Sequence, residues 1–242
     1  MSSWKSKLIA LFLMLFSLVA LPGLVKAQSG LKYLAPKELA VVLKNLAEKY
    51  PEVCRLYSIG KSAGGQEILV MEIAAGKNRI KPESRPGVLV VGNSEGLHLP
   101  GTVAVLKLAE SILSGQSGGD KFWSEFLNKK TIYLLPLLNP DAASTYFASP
   151  KYERAFNATP VDEDNDGLVD EDGPEDLNGD GYITMMRVRS PEGRWIIDPK
   201  EPRLMRLADP RKGEKGEFLL YTEGRDNDGD GQINEDGPGG VE

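Results

Sequence analysis

Residues 87–113 read GVLVVGNSEGLHLPGTVAVLKLAESIL, and residues 131–141 read TIYLLPLLNPD. GVLVVGN is a short continuous apolar run bounded by glycine, the pattern of a strand buried on both faces. TVAVLKLAESIL (102–113) places its apolar residues at helical spacing, and TIYLLPLL is a second buried strand that ends in a turn at NPD. Strand, helix, strand in that order is a βαβ unit, so the two strands are expected as parallel neighbours or near neighbours. In such sheets ligands bind beyond the carboxyl ends of the strands. GNSEGLHLPG follows one of these ends and NPDAAS the other, which puts both on the same edge of the sheet.

Upstream, Pro36 opens KELAVVLKNLAEKY, with Leu39, Val42, Leu43 and Leu46 at helical spacing, and Pro51 closes it. CRLYSIG and QEILVMEIA are strand-like and joined by KSAGG, a hairpin connection. The fold class expected is α/β, a mixed central sheet flanked by helices, with a hairpin first and parallel strands after it. Cys54 is the only cysteine, so no internal disulfide can form, and its place in a strand marks it as a small buried hydrophobe. At the start, Lys5 and Lys7 precede the apolar run LIALFLMLFSLVALPGLV, and Val25-Lys26-Ala27 offers a small-residue cleavage site. Residues 1–27 thus read as a signal peptide and 28–242 as the mature chain, secreted or periplasmic. Pro22 and Gly23 interrupt the apolar run, so no stable membrane span is expected once it is cleaved.

The formal charge of −6 is unevenly spread. Residues 160–181 hold ten acids and no Lys or Arg; residues 223–242 hold seven acids and one Arg. Acidity this local points to bound cations and away from nucleic acid. Three segments repeat one pattern: DEDNDGLVDEDG (162–173), DLNGDGYIT (176–184) and DNDGDGQINEDG (226–237). Each begins D-x-D/N-x-D-G, the front half of a calcium loop, in which positions 1, 3 and 5 supply oxygens and glycine at 6 allows the sharp turn. The candidate ligands are Asp162, Asp164 and Asp166; Asp176, Asn178 and Asp180; and Asp226, Asp228 and Asp230. Position 9 is Asp170, Thr184 or Asn234, and position 12 is Gly173, Arg187 or Gly237. Without glutamate at 12 these are not complete helix–loop–helix hands, and affinities of roughly 10⁻⁴–10⁻³ M are expected, with calcium in a structural role.

LAEKYPEVCRLYSIGKSAGGQEILVMEIA resembles the amino-terminal part of the M14-type zinc metallocarboxypeptidases. VVGN falls where that family has its first zinc-binding turn, and TIYLLPLLNPDAAS where it has a strand ending in "NPDG". DEDGPEDLNGDGYITMMRV and GRDNDGDGQINEDGPGGV resemble an insertion in a secreted bacterial branch, placed here at 160–237. The resemblance covers residues 31–242. It implies a zinc ion held by two histidines and a glutamate, a water nucleophile and hydrolysis of peptide bonds near a carboxyl terminus. It also implies that Arg154, in YERAFN, polarises the scissile carbonyl.

The family's turn is H-x-x-E, whereas this chain has Glu95-Gly96-Leu97-His98, the two ligand types exchanged. His98 is the only histidine in the sequence, so the second histidine ligand is missing. The resemblance reaches only the first half of the fold, and the expectation is a piece of a longer product or a sheet completed by a partner. Three readings stay open. One is a secreted zinc carboxypeptidase-type peptidase. Another is an inactive relative that binds peptide or cell-wall fragments. The third is a calcium-stabilised structural module.

Overall fold

A computed structural model describes residues 32–76, 81–163, 165, 167–229, 231–234, 237 and 239–241. The expected signal peptide lies outside the described residues, as do Asp164, Asp166 and Asp230. The first helix, α1 (Pro36–Lys49), starts where Pro36 supplies a preset φ and the Glu38 carboxylate accepts the Ala35 amide at 3.1 Å. Strands β1 (Cys54–Lys61) and β2 (Glu67–Ile73) form the expected hairpin. Gly65, at φ +79°, allows its turn. β3 (Gly87–Val91), α2 (Leu99–Ser117), α3 (Lys121–Lys129) and β4 (Thr131–Leu135) follow, then the short α4 (Pro140–Tyr146).

The sheet order is β1–β2–β4–β3. β3 runs parallel to β4, with Val88 beside Ile132 and Val90 beside Leu134, while β2 runs antiparallel to β4. The sheet is therefore mixed, and its two parallel strands are direct neighbours, as the βαβ reading requires. Met71, Ile73, Ile132 and Leu134 share one face by strand alternation. Leu39 and Leu43 of α1, Leu106, Ala109 and Leu113 of α2, and Leu127 of α3 join them in one buried cluster. Each large side chain so buried contributes about 1.5–3 kcal/mol.

β3 departs from its expected burial. Leu89 is 63 % exposed and Val91 41 %, so this strand is not covered on both faces. An unbroken apolar run reports the absence of polar residues, not the presence of neighbours. β3 is the edge of its sheet, and among the described residues nothing pairs with its outer side. Two further differences concern helices. α2 runs from Leu99 to Ser117, beyond both ends of the 102–113 stretch read as helical. α3, which had no counterpart in the sequence reading, is set by Asp120, whose carboxylate accepts the Phe122 amide at 2.8 Å.

After residue 160 the chain forms a second sheet. β5 (Met185–Arg189), β6 (Trp195–Ile197), β7 (Met205–Leu207) and β8 (Phe218–Thr222) pair antiparallel in the order β5–β8–β6–β7. β7 was not legible, since a three-residue strand carries no period of its own. Between Asn157 and Val241 the chain leaves and returns to one point: the Asn157 amide donates to Val241 O at 3.2 Å, and the Val241 amide donates to Asn157 Oδ1 at 3.0 Å. Among the described residues no helix is long and apolar enough to cross a membrane.

Candidate functional site

The turn after β3 is fixed by backbone before any side chain acts. The Gly92 amide donates to Leu135 O at 2.8 Å, and the Leu138 and Asn139 amides donate to Gly92 O and Asn93 O at 3.2 Å. This joins the two strand ends on one edge of the sheet, as their order in sequence implied. A Cβ on Gly92 would stand 2.7 Å from Gly101 O and 2.8 Å from Pro136 O, so only glycine fits. Asn93 is buried at φ +52° and its Nδ2 donates to Gly96 O at 3.1 Å, closing the turn from within. Gly96 then lies against α4 and the following segment. A Cβ there would fall 2.0 Å from the Ala142 Cβ and 3.1 Å from Ala155 O. Gly96→Ala is expected to cost about 2–3 kcal/mol by overpacking. Thermal unfolding checks it, and an unchanged midpoint would contradict this packing.

Glu95 and His98 project from this turn into solvent. His98 Nδ1 lies 3.0 Å from Glu95 Oε2, with side-chain exposures of 68 % and 56 %. His98 is the N-cap residue of α2 but makes no capping bond there. Two donors of one tetrahedral zinc, each at about 2.0–2.1 Å, stand about 3.3 Å apart. The pair is thus near chelating distance, although its ligand types are exchanged. Among the described residues no three His, Cys, Asp or Glu side chains gather as a metal centre requires. Glu95 and His98 offer two donors where a hydrolytic zinc site needs three, so among the described residues the ligand set is incomplete.

Asn139 caps α4, its Oδ1 accepting the Ala142 amide at 3.1 Å, while its Nδ2 donates to Ala155 O at 3.0 Å. Asp141 does more than shape the turn. Its buried carboxylate accepts Ser62 Oγ at 2.6 Å, the Gly64 amide at 3.0 Å, Gln66 Nε2 at 3.1 Å and the Ala158 amide at 3.2 Å. It pins the β1–β2 hairpin to the site edge. Burial pushes its pKa up, but the bonds from Ser62, Gly64, Ala158 and Gln66 outweigh burial and hold it below the ordinary value.

Among the described residues Arg154 makes no ion pair with an acidic-loop carboxylate. Its Nη2 donates to Asn157 O at 2.6 Å and to Gly239 O, and its buried Nε has no hydrogen-bond partner among the described residues. Its carbonyl oxygen lies against Gly96, next to the Glu95–His98 turn. Beside it is a cavity of about 400 Å³ lined by Arg154, Tyr152, Glu153 and Thr222. The turn, Asn139 and Arg154 therefore share one edge, while Arg154 also secures the returning chain at 239–241.

The three acidic loops share one geometry at the described positions. The first aspartate of each accepts the position-6 glycine amide: Asp162 from Gly167 at 3.1 Å, Asp176 from Gly181 at 2.8 Å, Asp226 from Gly231 at 3.0 Å. Its other oxygen accepts the position-4 amide of Asn165, Gly179 or Gly229. Positions 4 and 6 are left-handed in all three, at φ between +70° and +99°. In the loop that is described throughout, Asn178 Oδ1 accepts the Asp180 amide and Asp180 Oδ1 the Tyr182 amide. Position 9 of the first loop, Asp170, accepts the Gly239 amide at 2.9 Å.

Two carboxylates that the repeat did not single out tie these loops shut. Glu223, at the end of β8, accepts the Leu177 and Asn178 amides on one oxygen and the Thr184 amide and hydroxyl on the other. Asp172, fully buried, accepts the Asn227 amide at 2.9 Å and the Asn234 amide at 2.6 Å. Each bridges positions 2 and 9 of a loop to which it does not belong. The one sequence signal is that Asp172 stands two residues past position 9 of the first loop.

Residues 39–155 match the family model for zinc carboxypeptidase. Carboxypeptidase E of Caenorhabditis elegans is 33 % identical over 104 residues, which is 43 % of this chain and 22 % of that protein. Human carboxypeptidase D is 31 % identical over 134 residues, 52 % of this chain and 10 % of that one. The chain thus spans about a fifth and a tenth of the length of these relatives. Carboxypeptidase A from Helicoverpa armigera superposes with a TM-score of 0.48 at 20 % identity, covering 72 % of this chain and 42 % of that one. Over residues 39–155 the chain is similar to the zinc carboxypeptidases.

Proposed function

We propose that this chain is part of an exported zinc carboxypeptidase-type protein that acts at the carboxyl ends of peptides. The observation that carries this is the shared edge: the backbone of Arg154 and Ala155 lies against the turn that carries Glu95 and His98 and accepts the Asn139 side chain, and Arg154 lines a cavity there. Arg154, at the wall of that cavity, is the cation for a peptide carbonyl or carboxylate. Glu95 and His98 are the two zinc donors, and a third has to come from elsewhere for hydrolysis. Zinc titration by calorimetry, with His98→Ala beside the parent chain, tests this. Binding that disappears in the variant supports the role, and zinc content unchanged by the substitution would end it.

A second reading is favoured by the exchanged turn: a non-catalytic relative that binds peptide or cell-wall fragments without metal. Peptide affinity unaltered by chelator, together with no cleavage, distinguishes it. In either case we assign the acidic loops a structural calcium role, supported by the common geometry of the three loops and by their local negative charge. Export follows from the charged start and apolar run of residues 1–27.

A further inference from the structure

The largest cavity by volume among those described near the site edge holds about 720 Å³ and is lined by Tyr146, Lys151, Tyr152, Glu153 and Tyr182. It shares Tyr152, Glu153 and Thr222 with the cavity beside Arg154, so the two adjoin along those residues. The Lys151 backbone is stitched to the second acidic loop: its amide donates to Gly181 O at 2.9 Å and its carbonyl accepts the Ile183 amide at 2.8 Å. Its side chain is left for other work. The ammonium stands over the Tyr182 ring at 5.4 Å and the Tyr146 ring at 6.0 Å. Among the described residues no carboxylate lies within ion-pair distance of it.

A cation held between two aromatic faces, at the wall of an open cavity and without a counter-ion, is a ready partner for one anionic group. The tyrosine rings offer apolar area for the rest of the ligand. Glu153, on the same walls, disfavours a polyanion such as nucleic acid and leaves a ligand with a single carboxylate preferred. We propose that the cleft from Arg154 to Lys151 is a peptide groove whose Lys151 subsite takes an acidic side chain. The inference rests on the reading that a peptide carboxyl end lies beside Arg154, the upstream residues then running toward Lys151.

The test is fluorescence anisotropy with the full chain and labelled hexapeptides. The peptides are identical except for one glutamate, or glutamine in its place, two to four residues before a free or amidated carboxyl end. The best glutamate peptide is expected to bind about fivefold tighter than its glutamine partner, as fits one partly exposed charge pair. Lys151→Met keeps the stem against the rings and should abolish that difference while leaving the glutamine peptide unchanged. Equal affinities in the parent chain, or a difference that survives Lys151→Met, would overturn the subsite. The amidated peptides and Arg154→Met report separately on the underlying reading. If amidation and Arg154→Met change nothing, the carboxyl-end reading fails even where the Lys151 difference stands. No measurable binding of any peptide overturns both.

Discussion

Replacing Asp141 by alanine is expected to lower the unfolding free energy by about 3–5 kcal/mol, one of the largest single effects in the chain. The carboxylate is buried and receives Ser62 Oγ, the Gly64 amide, Gln66 Nε2 and the Ala158 amide, from the β1–β2 hairpin and from the segment beyond α4. Truncation orphans the Ser62 hydroxyl and the Gly64 and Ala158 amides at once, while Gln66 Nε2 keeps Pro140 O and Ser144 Oγ. The chain has also shaped itself around this group: a Cβ on Gly64 would stand 2.6 Å from Asp141 Oδ1. Ser62→Ala removes one donor and leaves the others in place, so it should cost only about 1 kcal/mol. Chemical denaturation of both variants checks the comparison. A loss below about 1 kcal/mol for Asp141→Ala would mean that water replaces these bonds and that the hairpin is not anchored here.

The same carboxylate sets part of the acid response. Its folded pKa is depressed, because the hydrogen bonds outweigh burial. A depressed acid stabilises the fold fully above its unfolded pKa of about 3.9, and that contribution disappears as pH falls through the lower folded value. The parent chain should therefore lose stability below about pH 4 more steeply than Asp141→Asn does.

How much of this was written in the sequence differs by element. The βαβ unit was legible, because GVLVV and TIYLL are unbroken apolar runs with a helical period between them, and the two strands do lie side by side. The phase of the acidic repeat was legible too: glycine or asparagine at position 4 and glycine at position 6 take the left-handed backbone that this pattern demands. The exposure of Leu89 was not legible, since periodicity describes a strand and not what stands beside it. Nor were the roles of Asp141, Asp172 and Glu223. Each bonds residues between about 17 and 79 positions away, a separation at which no local pattern survives. At the site, residue types could be named from the sequence, but the mutual approach of Glu95 and His98 and the anchoring of Arg154 on Gly239 needed coordinates.

The cross-ties of the acidic loops lead to the other large effect. Glu223→Ala should cost about 3 kcal/mol, since it strips the acceptor from the Leu177, Asn178 and Thr184 amides and the Thr184 hydroxyl. Both ends of the 176–184 loop are released together, so its two halves no longer hold Asp176, Asn178 and Asp180 in one arrangement. If calcium sits there, the parent chain melts higher in calcium than in chelator, and much of that difference should vanish in Glu223→Ala. Asp172→Ala acts on the 226–234 loop in the same way, through Asn227 and Asn234. The two loops are also connected. Asn234 Nδ2 donates to Thr222 O at 2.6 Å, and Thr222 is the residue before Glu223. Opening the third loop should therefore loosen the second. Amide hydrogen exchange reads both effects without reference to calcium: in Glu223→Ala the Leu177 and Thr184 amides should exchange about 100-fold faster or more, and in Asp172→Ala the same amides should accelerate to a smaller extent. Unchanged exchange at Leu177 and Thr184 in Glu223→Ala would remove the cross-tie. Acceleration there but not in Asp172→Ala would keep each tie and break the link between them, leaving the loops to open one at a time.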